Sequence, residues 1–227
     1  MNVKGIVLQN YRNYEKLSVL LHPGLNIFWG DNAQGKTNLL ESVYLCGTGR
    51  SHRTFKDKEL INWDKQSGYA RCDIKRNGFD TSIEVQLFSD HHKIIKVGGI
   101  KIEKMSELLG NLNVVMFSPE DLKLVKDGPV FRRRFLDIEI SQAKPGYYYN
   151  LQQYNKVLIQ RNNLLKSIRY DKSLLKTLDI WDEQLSNYGS YIISYRQEFM
   201  KKISMLAKLI HRKITDGSQW IGSLKGY

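Results

Sequence analysis

Residues 30–37 read Gly-Asp-Asn-Ala-Gln-Gly-Lys-Thr. This fits G-x-x-x-x-G-K-[ST], a pattern that works only as the turn between a strand and a helix. The flanks agree. Leu25-Asn26-Ile27-Phe28-Trp29 is a short, mostly apolar run bounded by Pro23-Gly24, as a buried strand would be. Beyond Lys36, Leu39, Leu40, Val43 and Tyr44 recur at helical spacing. A strand, a glycine loop and a helix in that order set the expected fold class: α/β, with a phosphate-binding loop.

The chemistry of such a loop follows from its geometry. Gly30 and Gly35 have no Cβ, so the main chain can curl and approach an anion closely. Successive N–H groups from Asn32 to Thr37 then converge on a β-phosphate. The N-terminus of the following helix adds about half a positive charge. Lys36 places an ammonium between the β- and γ-phosphates, and the Thr37 hydroxyl is a hard oxygen suited to Mg²⁺. The candidate nucleotide-binding residues are therefore Gly30, Asp31, Asn32, Ala33, Gln34, Gly35, Lys36 and Thr37, with ATP and Mg²⁺ as the expected ligands.

A chain of 227 residues can bury one good core, or one core with a satellite lobe. No apolar run reaches the roughly 18 residues of a membrane span, so no membrane partner is expected. Met1–Val7 reads as a strand, not as a signal peptide. Cys46 and Cys72 stand alone, without a C-x-x-C or a His cluster. Free thiols, a cytoplasmic location and no structural metal are the expectation.

The formal net charge is +12, unevenly spread. Residues 1–117 hold 16 Lys/Arg against 12 Asp/Glu, and residues 118–227 hold 19 against 11. A basic surplus favours a polyanionic partner, of which nucleic acid is the usual one.

Periodicity divides the chain. Over residues 1–117 it predicts strands at Val3–Leu8, Leu17–Leu21, Ala70–Ile74, Thr81–Phe88, Lys93–Val97, Ile100–Glu103 and Leu112–Phe117. Hairpin turns fall at Arg76-Asn77-Gly78 and at Gly98-Gly99. One strong helix is embedded at 35–46, and a weaker one near Ser106–Leu109. Over 118–213 the period becomes helical. Glu120–Lys126 reads as one short helix with Ser118 as its N-cap, and Pro129 opens the next, through about Ser141. Leu151, Tyr154, Leu158, Leu165 and Ile168 mark a third. A final seam of threes and fours runs from Leu174 through Trp181, Tyr188, Tyr195 and Leu206 to Ile210. That seam reads as the core of a helical lobe, with a separate dimerisation coiled coil as the alternative. Residues 214–227 read as a return segment toward a further part of the protein.

ATP hydrolysis needs a second element, an acidic residue closing an apolar strand beside Mg²⁺. Leu112–Phe117 comes closest, but Ser118-Pro119 intervenes before Glu120 and Asp121. Phe135-Leu136-Asp137 and Leu178-Asp179 lie in helical patterns. No catalytic residue is assigned here. The chain reads as the amino-terminal part of a larger protein whose catalytic acid sits downstream.

Several segments together resemble the RecF family of bacterial DNA replication and repair proteins. They are Leu8-Gln-Asn-Tyr-Arg-Asn-Tyr14, the loop 30–37 with Asn38–Ser42, Ser51-His52-Arg53, Ser118–Val125, Gly128-Pro129 and Arg132–Asp137. The resemblance implies an ABC-type ATPase head, like those of SMC proteins, with a helical second lobe and no long coiled coil. It implies two copies pairing on ATP, and binding to single-stranded DNA, duplex and junctions or gaps. It further implies cooperation with recombination mediator proteins to load recombinase, and roles in replication, recombination and the SOS response. The family's signature segment, acidic strand and trailing His or Asp loops are absent from these residues. This chain is therefore expected to bind ATP without turnover, where the family hydrolyses it slowly.

With the resemblance come graded roles. Arg12 and Asn13 lie near the γ-phosphate or the sugar, or else form a plain surface turn. His52 and Arg53 contact a base or DNA, or sit in a solvated loop. Arg132, Arg133 and Arg134 contact DNA phosphate, or pair with carboxylates of the nucleotide lobe. Tyr147-Tyr148-Tyr149 stack on bases or pack in the core. Two rivals are weaker. A nucleotide or small-molecule kinase would need a lid and an acceptor pocket that the residues do not supply. An SMC-like bridging protein would show a much longer heptad run.

Overall fold

The computed structural model describes residues 1–216, apart from the side chains of residues 120 and 123. Residues 217–227, and with them most of the expected return segment 214–227, lie outside the described residues. The chain divides into two compact units, Met1–Pro119 and Glu120–Tyr227.

The first unit is built on a six-stranded antiparallel sheet. Its strands are β1 (Asn2–Tyr11), β2 (Tyr14–Leu20), β3 (Ser67–Arg76), β4 (Phe79–Phe88), β5 (Ile94–Val97) and β6 (Ile100–Lys101), in the spatial order β2-β1-β3-β4-β5-β6. Sequence neighbours pair wherever the turn chemistry allows it. Asn77 and Gly78 both take positive φ, 49° and 89°, which matches the twist of the strands they join. Gly98-Gly99 does the same between β5 and β6. Period two then sorts the side chains. Ala70, Cys72 and Ile74 of β3 and Ile83, Val85 and Leu87 of β4 share the buried face. Against that face lie Leu39, Leu45 and Cys46 of α1 (Lys36–Thr48), together with Leu108, the last residue of the short helix α2 (Met105–Leu108).

Two expected strands are not strands. Leu25–Trp29 and Leu112–Phe117 join no ladder among the described residues. Their alternation is real: Phe28, Leu112 and Val114 face the core, while Leu25, Ile27, Val115 and Phe117 are exposed and Trp29 is 90% exposed. A strand buried on both faces needs neighbours on both sides. Among the described residues no strand lies beside either segment, so neither is paired as the sequence pattern led one to expect.

The second unit is helical. A 3-10 turn (Pro119–Leu122) leads into α3 (Lys123–Lys126), so the single helix expected over Glu120–Lys126 is split. Then come α4 (Pro129–Ala143), α5 (Pro145–Ser167), a second 3-10 turn (Lys172–Thr177) and α6 (Leu178–Ile214). Proline opens both α4 and α5, where its missing N–H costs nothing. Leu136, Ile140, Tyr147 and Ile192 form the centre of this unit, with Tyr154, Tyr195 and Phe199 packed around them. Tyr147 is therefore a core residue, and its hydroxyl donates to Asp137. Arg196 of α6 reaches the same carboxylate at 2.7 Å. Gly189 lets α5 approach α6 closely, since a Cβ there would stand 3.3 Å from the Tyr154 ring. The long seam is covered as far as Ile203, and Leu206 and Ile210 are exposed. At 1.5 Å per residue α6 runs about 55 Å.

Candidate functional site

The glycine loop joins Trp29 to α1 through three residues with positive φ: Gly30 (143°), Ala33 (65°) and Gly35 (100°). Gly35 is favoured on two counts. Its φ is disfavoured for any side chain, and a Cβ would fall 2.6 to 2.7 Å from the Asn13 amide and the Tyr14 hydroxyl. A side chain there would have to displace Asn13 and Tyr14 and take up a strained φ.

Helix α1 begins at Lys36 with Gly35 as N-cap, no side-chain cap and no acidic residue in its first turn. Its first N–H groups thus have no side-chain acceptor supplied by the cap, and no carboxylate offsets the positive end of the dipole. Lys36 folds back over the loop, its Nζ donating to the Gly30 carbonyl at 2.7 Å and the Asp31 carbonyl at 2.6 Å. Thr37, the second residue of the helix, is exposed. An anion with several oxygens fits this arrangement. The N–H groups and one ammonium would receive phosphate oxygens, and the Thr37 hydroxyl would be available to a hard cation.

The loop is held by the turn between β1 and β2. Asn13 Nδ2 donates to the Gln34 carbonyl at 3.2 Å, and Asn38 Nδ2 donates to Asn13 Oδ1 at 2.8 Å. Arg53 Nη1 donates to Asn38 Oδ1 at 2.9 Å. Asn13 is thereby bonded to the loop, and Arg53 to Asn38 just beyond it on α1. Arg12, the neighbouring residue, makes its own contacts. Its guanidinium is committed to both oxygens of Glu41 and to the Glu59 carbonyl, at 2.8 to 2.9 Å. It ties the β1–β2 turn to α1 and to Glu59.

Glu41 is the residue that sequence reasoning missed. It lies on α1, fully buried. Ser51 Oγ donates to it at 2.5 Å, and Arg53 approaches to 3.9 Å. Burial alone would push this carboxyl up. The Arg12 and Ser51 hydrogen bonds and the Arg12 and Arg53 charges outweigh that and hold it below the usual carboxylate range. The single acid of α1, set between Leu39-Leu40 and Val43, was the available signal. Burial also holds the neighbouring Tyr11 hydroxyl well above its ordinary range, helped by the Glu41 charge.

The other expected contacts separate. His52 is half-buried, its ring set edge-on to Tyr44 with centroids 5.6 Å apart. Arg132, Arg133 and Arg134 lie on α4, in the second unit. Successive helical residues point about 100° apart. Arg132 donates to the Leu124 and Asp127 carbonyls at 3.4 and 3.1 Å, Arg133 is exposed and Arg134 is half-buried. The run is not a single basic face.

A cleft of about 640 Å³ opens beside Asn13 and Asn38, lined also by Arg12, Arg53, Asn62 and Trp63. That volume lies within the roughly 300–1,000 Å³ of small-molecule sites.

Comparison with known proteins adds three findings. The family model described as AAA domain matches residues 6–216. The DNA replication and repair protein RecF of Alkaliphilus oremlandii is 56% identical over 216 residues, covering 95% of this chain and 58% of that protein. Its counterpart in Clostridium beijerinckii is 54% identical over 221 residues, covering 97% and 59%. The chain thus spans less than two thirds of the length of these curated relatives. Among solved structures, the recombination mediator protein RecF with ATP, in the RecFOR pathway, superposes with a TM-score of 0.90 at 37% identity. It covers 94% of this chain and 58% of that one. The ATPrS form gives 0.88 at 37% identity, covering 95% and 58%. The α/β P-loop ATPase head with a strand-rich nucleotide lobe and a helical second lobe is the fold these structures share with it.

Proposed function

We propose, from the premise that this chain belongs to the AAA domain family and within it to RecF, that it is the ATP-binding part of a DNA repair ATPase. The observation that carries this reading is the start of α1. There an uncapped helix N-terminus, free of acidic residues, lies under the Lys36 ammonium. A triphosphate is the ligand class that such a cradle suits. Gly30–Thr37 would hold the phosphates and Asn13 would steady the loop. Thr37 would offer its hydroxyl to Mg²⁺, which when bound neutralises phosphate charge. The solved relatives bound to ATP and ATPrS support the ligand assignment.

The finer parts of the reading come with the relatives and the charge. A net charge of +12 supports DNA as partner; a preference for gaps and single-strand/double-strand junctions is proposed from the resemblance to RecF alone. Arg53 in the first unit, and Arg133 on α4, are the exposed cations proposed to meet it. Recombination mediator proteins and ATP-dependent pairing of two copies belong to the whole protein, as do recombinase loading and the SOS response. Slow hydrolysis would draw its carboxylate from the part of the relatives' length that this chain does not span. The chain itself is proposed to bind ATP without turnover, in the cytoplasm. Among the described residues no helix is long and apolar enough to cross a membrane.

The test is Lys36→Ala, measured by calorimetric titration with ATP·Mg and by circular dichroism. The expected result is loss of measurable ATP affinity with an unchanged spectrum. Unchanged affinity would remove the site assignment.

A further inference from the structure

We propose that Cys46 and Cys72 are an oxidisable dithiol site, at which a peroxide or another two-electron thiol oxidant closes an S–S bond between α1 and β3. The site lies in the core of the first unit and does not depend on the reading of the phosphate loop.

The register of the sheet brings the two sulfurs together. Cys72 of β3 stands directly opposite Ile83 of β4, and both residues are buried in the core against α1. Residues directly opposite in an antiparallel pair lie about 4.5–5.5 Å apart at Cα. The Cys46 thiol, coming from α1, donates to the Ile83 carbonyl at 3.9 Å. One sulfur therefore lies over the strand pair from which the other projects, and a hydrogen bond joins the two thiols directly.

Composition does not impose this meeting. The chain has two cysteines, one on a helix and one on a strand, and both enter the same core cluster. Both are fully buried and both are free thiols in this structure. An isolated buried cysteine is a small hydrophobe, whereas two in contact are the complete set of groups for one intramolecular disulfide.

The surroundings set when the site reacts. The hydrogen bond with Cys72, and then burial, push the Cys46 thiol well above its ordinary range. The thiolate is the reacting form, so the closed core withholds it. Oxidation proceeds through local openings in which α1 parts from the sheet. One thiolate attacks a peroxide oxygen, which gives a sulfenic acid and releases hydroxide. The second sulfur then displaces the sulfenic oxygen as water and forms the S–S bond. In sum, two thiols and one hydrogen peroxide give one disulfide and two waters. The two electrons lost by the sulfurs are those gained by the peroxide oxygens. The partner sulfur is already adjacent, so closure within the chain is favoured over capture by a second molecule. The product ties the helix that follows the phosphate loop to a central strand of the sheet. Such a tie restricts the unfolded chain and stabilises the folded one.

The experiment exposes the wild-type chain to hydrogen peroxide, and separately to diamide, in native buffer, with circular dichroism recorded throughout. Residual thiols are then alkylated in denaturant, and the intact mass and tryptic peptides are measured. The expected product is a monomer lacking two hydrogens, unalkylated, with an unchanged spectrum. In it, peptide Thr37–Arg50 is joined to peptide Cys72–Lys75. Its urea midpoint should exceed that of the reduced chain and return to it with dithiothreitol. Cys46→Ser and Cys72→Ser should each abolish the joined peptide. If either variant fails to fold, the wild-type peptide map decides by itself. Two alkylated thiols after oxidant, sulfinic acid without the joined peptide, or disulfide-linked dimers in its place would each overturn the proposal. So would a bond that closes only as the native spectrum is lost, or one that leaves the urea midpoint unchanged or lower.

Discussion

Arg12 and Glu41 meet in a two-pronged ion pair, Nε to one carboxylate oxygen and Nη2 to the other, both at 2.9 Å, with Glu41 fully buried. The pair joins the β1–β2 turn to the phosphate-loop helix. Removing Arg12 leaves the buried carboxylate with Ser51 and the more distant Arg53 alone, so Arg12→Ala is expected to cost about 3 kcal/mol in denaturant unfolding, the low end for a broken buried pair. Glu41 also carries an acid signature. Its folded-state pKa lies below the unfolded value near 4.3, so its contribution is fully present above that pH and is lost as pH falls through the lowered value. Glu41→Gln should flatten the decline in stability below about pH 4.3. An acid limb identical to wild type would show that the pair does not govern it.

Gly35→Ala should weaken fold and function together. The added Cβ meets Asn13 and Tyr14 at under 3 Å, in a backbone conformation that disfavours side chains. Strain of this kind costs about 1–3 kcal/mol. ATP affinity should fall as well, because the loop must shift to relieve it. Thermal melting and ATP titration measure both, and a neutral result in both would contradict the close approach.

Glu139 titrates in the opposite sense to Glu41. Burial first, and then the Asp121 charge, push its carboxyl up to about 6. The folded state therefore holds its proton more tightly than the unfolded chain, and this residue costs stability as pH rises from about 4.3 to 6. Glu139→Gln is expected to stabilise the helical unit above pH 6, by about 1–2 kcal/mol. Melting at pH 7.5 checks it. A destabilised variant would mean that the carboxylate is well paired at that pH.

Gly189 sets two effects against each other. Alanine in a helix is favoured over glycine by about 0.5–1 kcal/mol, while its Cβ would stand a tight 3.3 Å from the Tyr154 ring. Gly189→Ala should be near neutral. Gly189→Leu must push α5 off α6 and should cost about 1–3 kcal/mol. Equal stability of the two variants in urea unfolding would show that the helices do not pack closely at this point.

DNA affinity should fall steeply with salt, because each phosphate neutralised releases counterions. The slope of log K against log salt is expected at about −0.9 per duplex phosphate contacted. Filter binding between 50 and 300 mM salt, on the order used for such slopes, reads it directly. A flat profile would reduce the basic surplus to a matter of solubility.

Much of this molecule can be read from local chemistry. The loop 30–37, the Asn77-Gly78 and Gly98-Gly99 turns and the proline starts of α4 and α5 each depend on residues within a few positions of one another. Backbone φ preferences and the two periodicities are short-range, so the sequence alone determines them. It also determined the change from strands to helices near Pro119.

What only the tertiary structure decided was which side chains meet across distance and which faces are covered. Arg12 and Glu41 are 29 positions apart, and nothing local says that this arginine pairs with this carboxylate. Trp63 carries no periodic signal; its place beside the loop comes from residues 60–62 being pinned to residues 10–12. The alternation of Leu25–Trp29 is visible in the sequence, but burial of its outer face depends on a neighbouring layer, and no pattern within five residues can supply one. Conformation is a property of the local backbone, whereas partnership is a property of the packed whole.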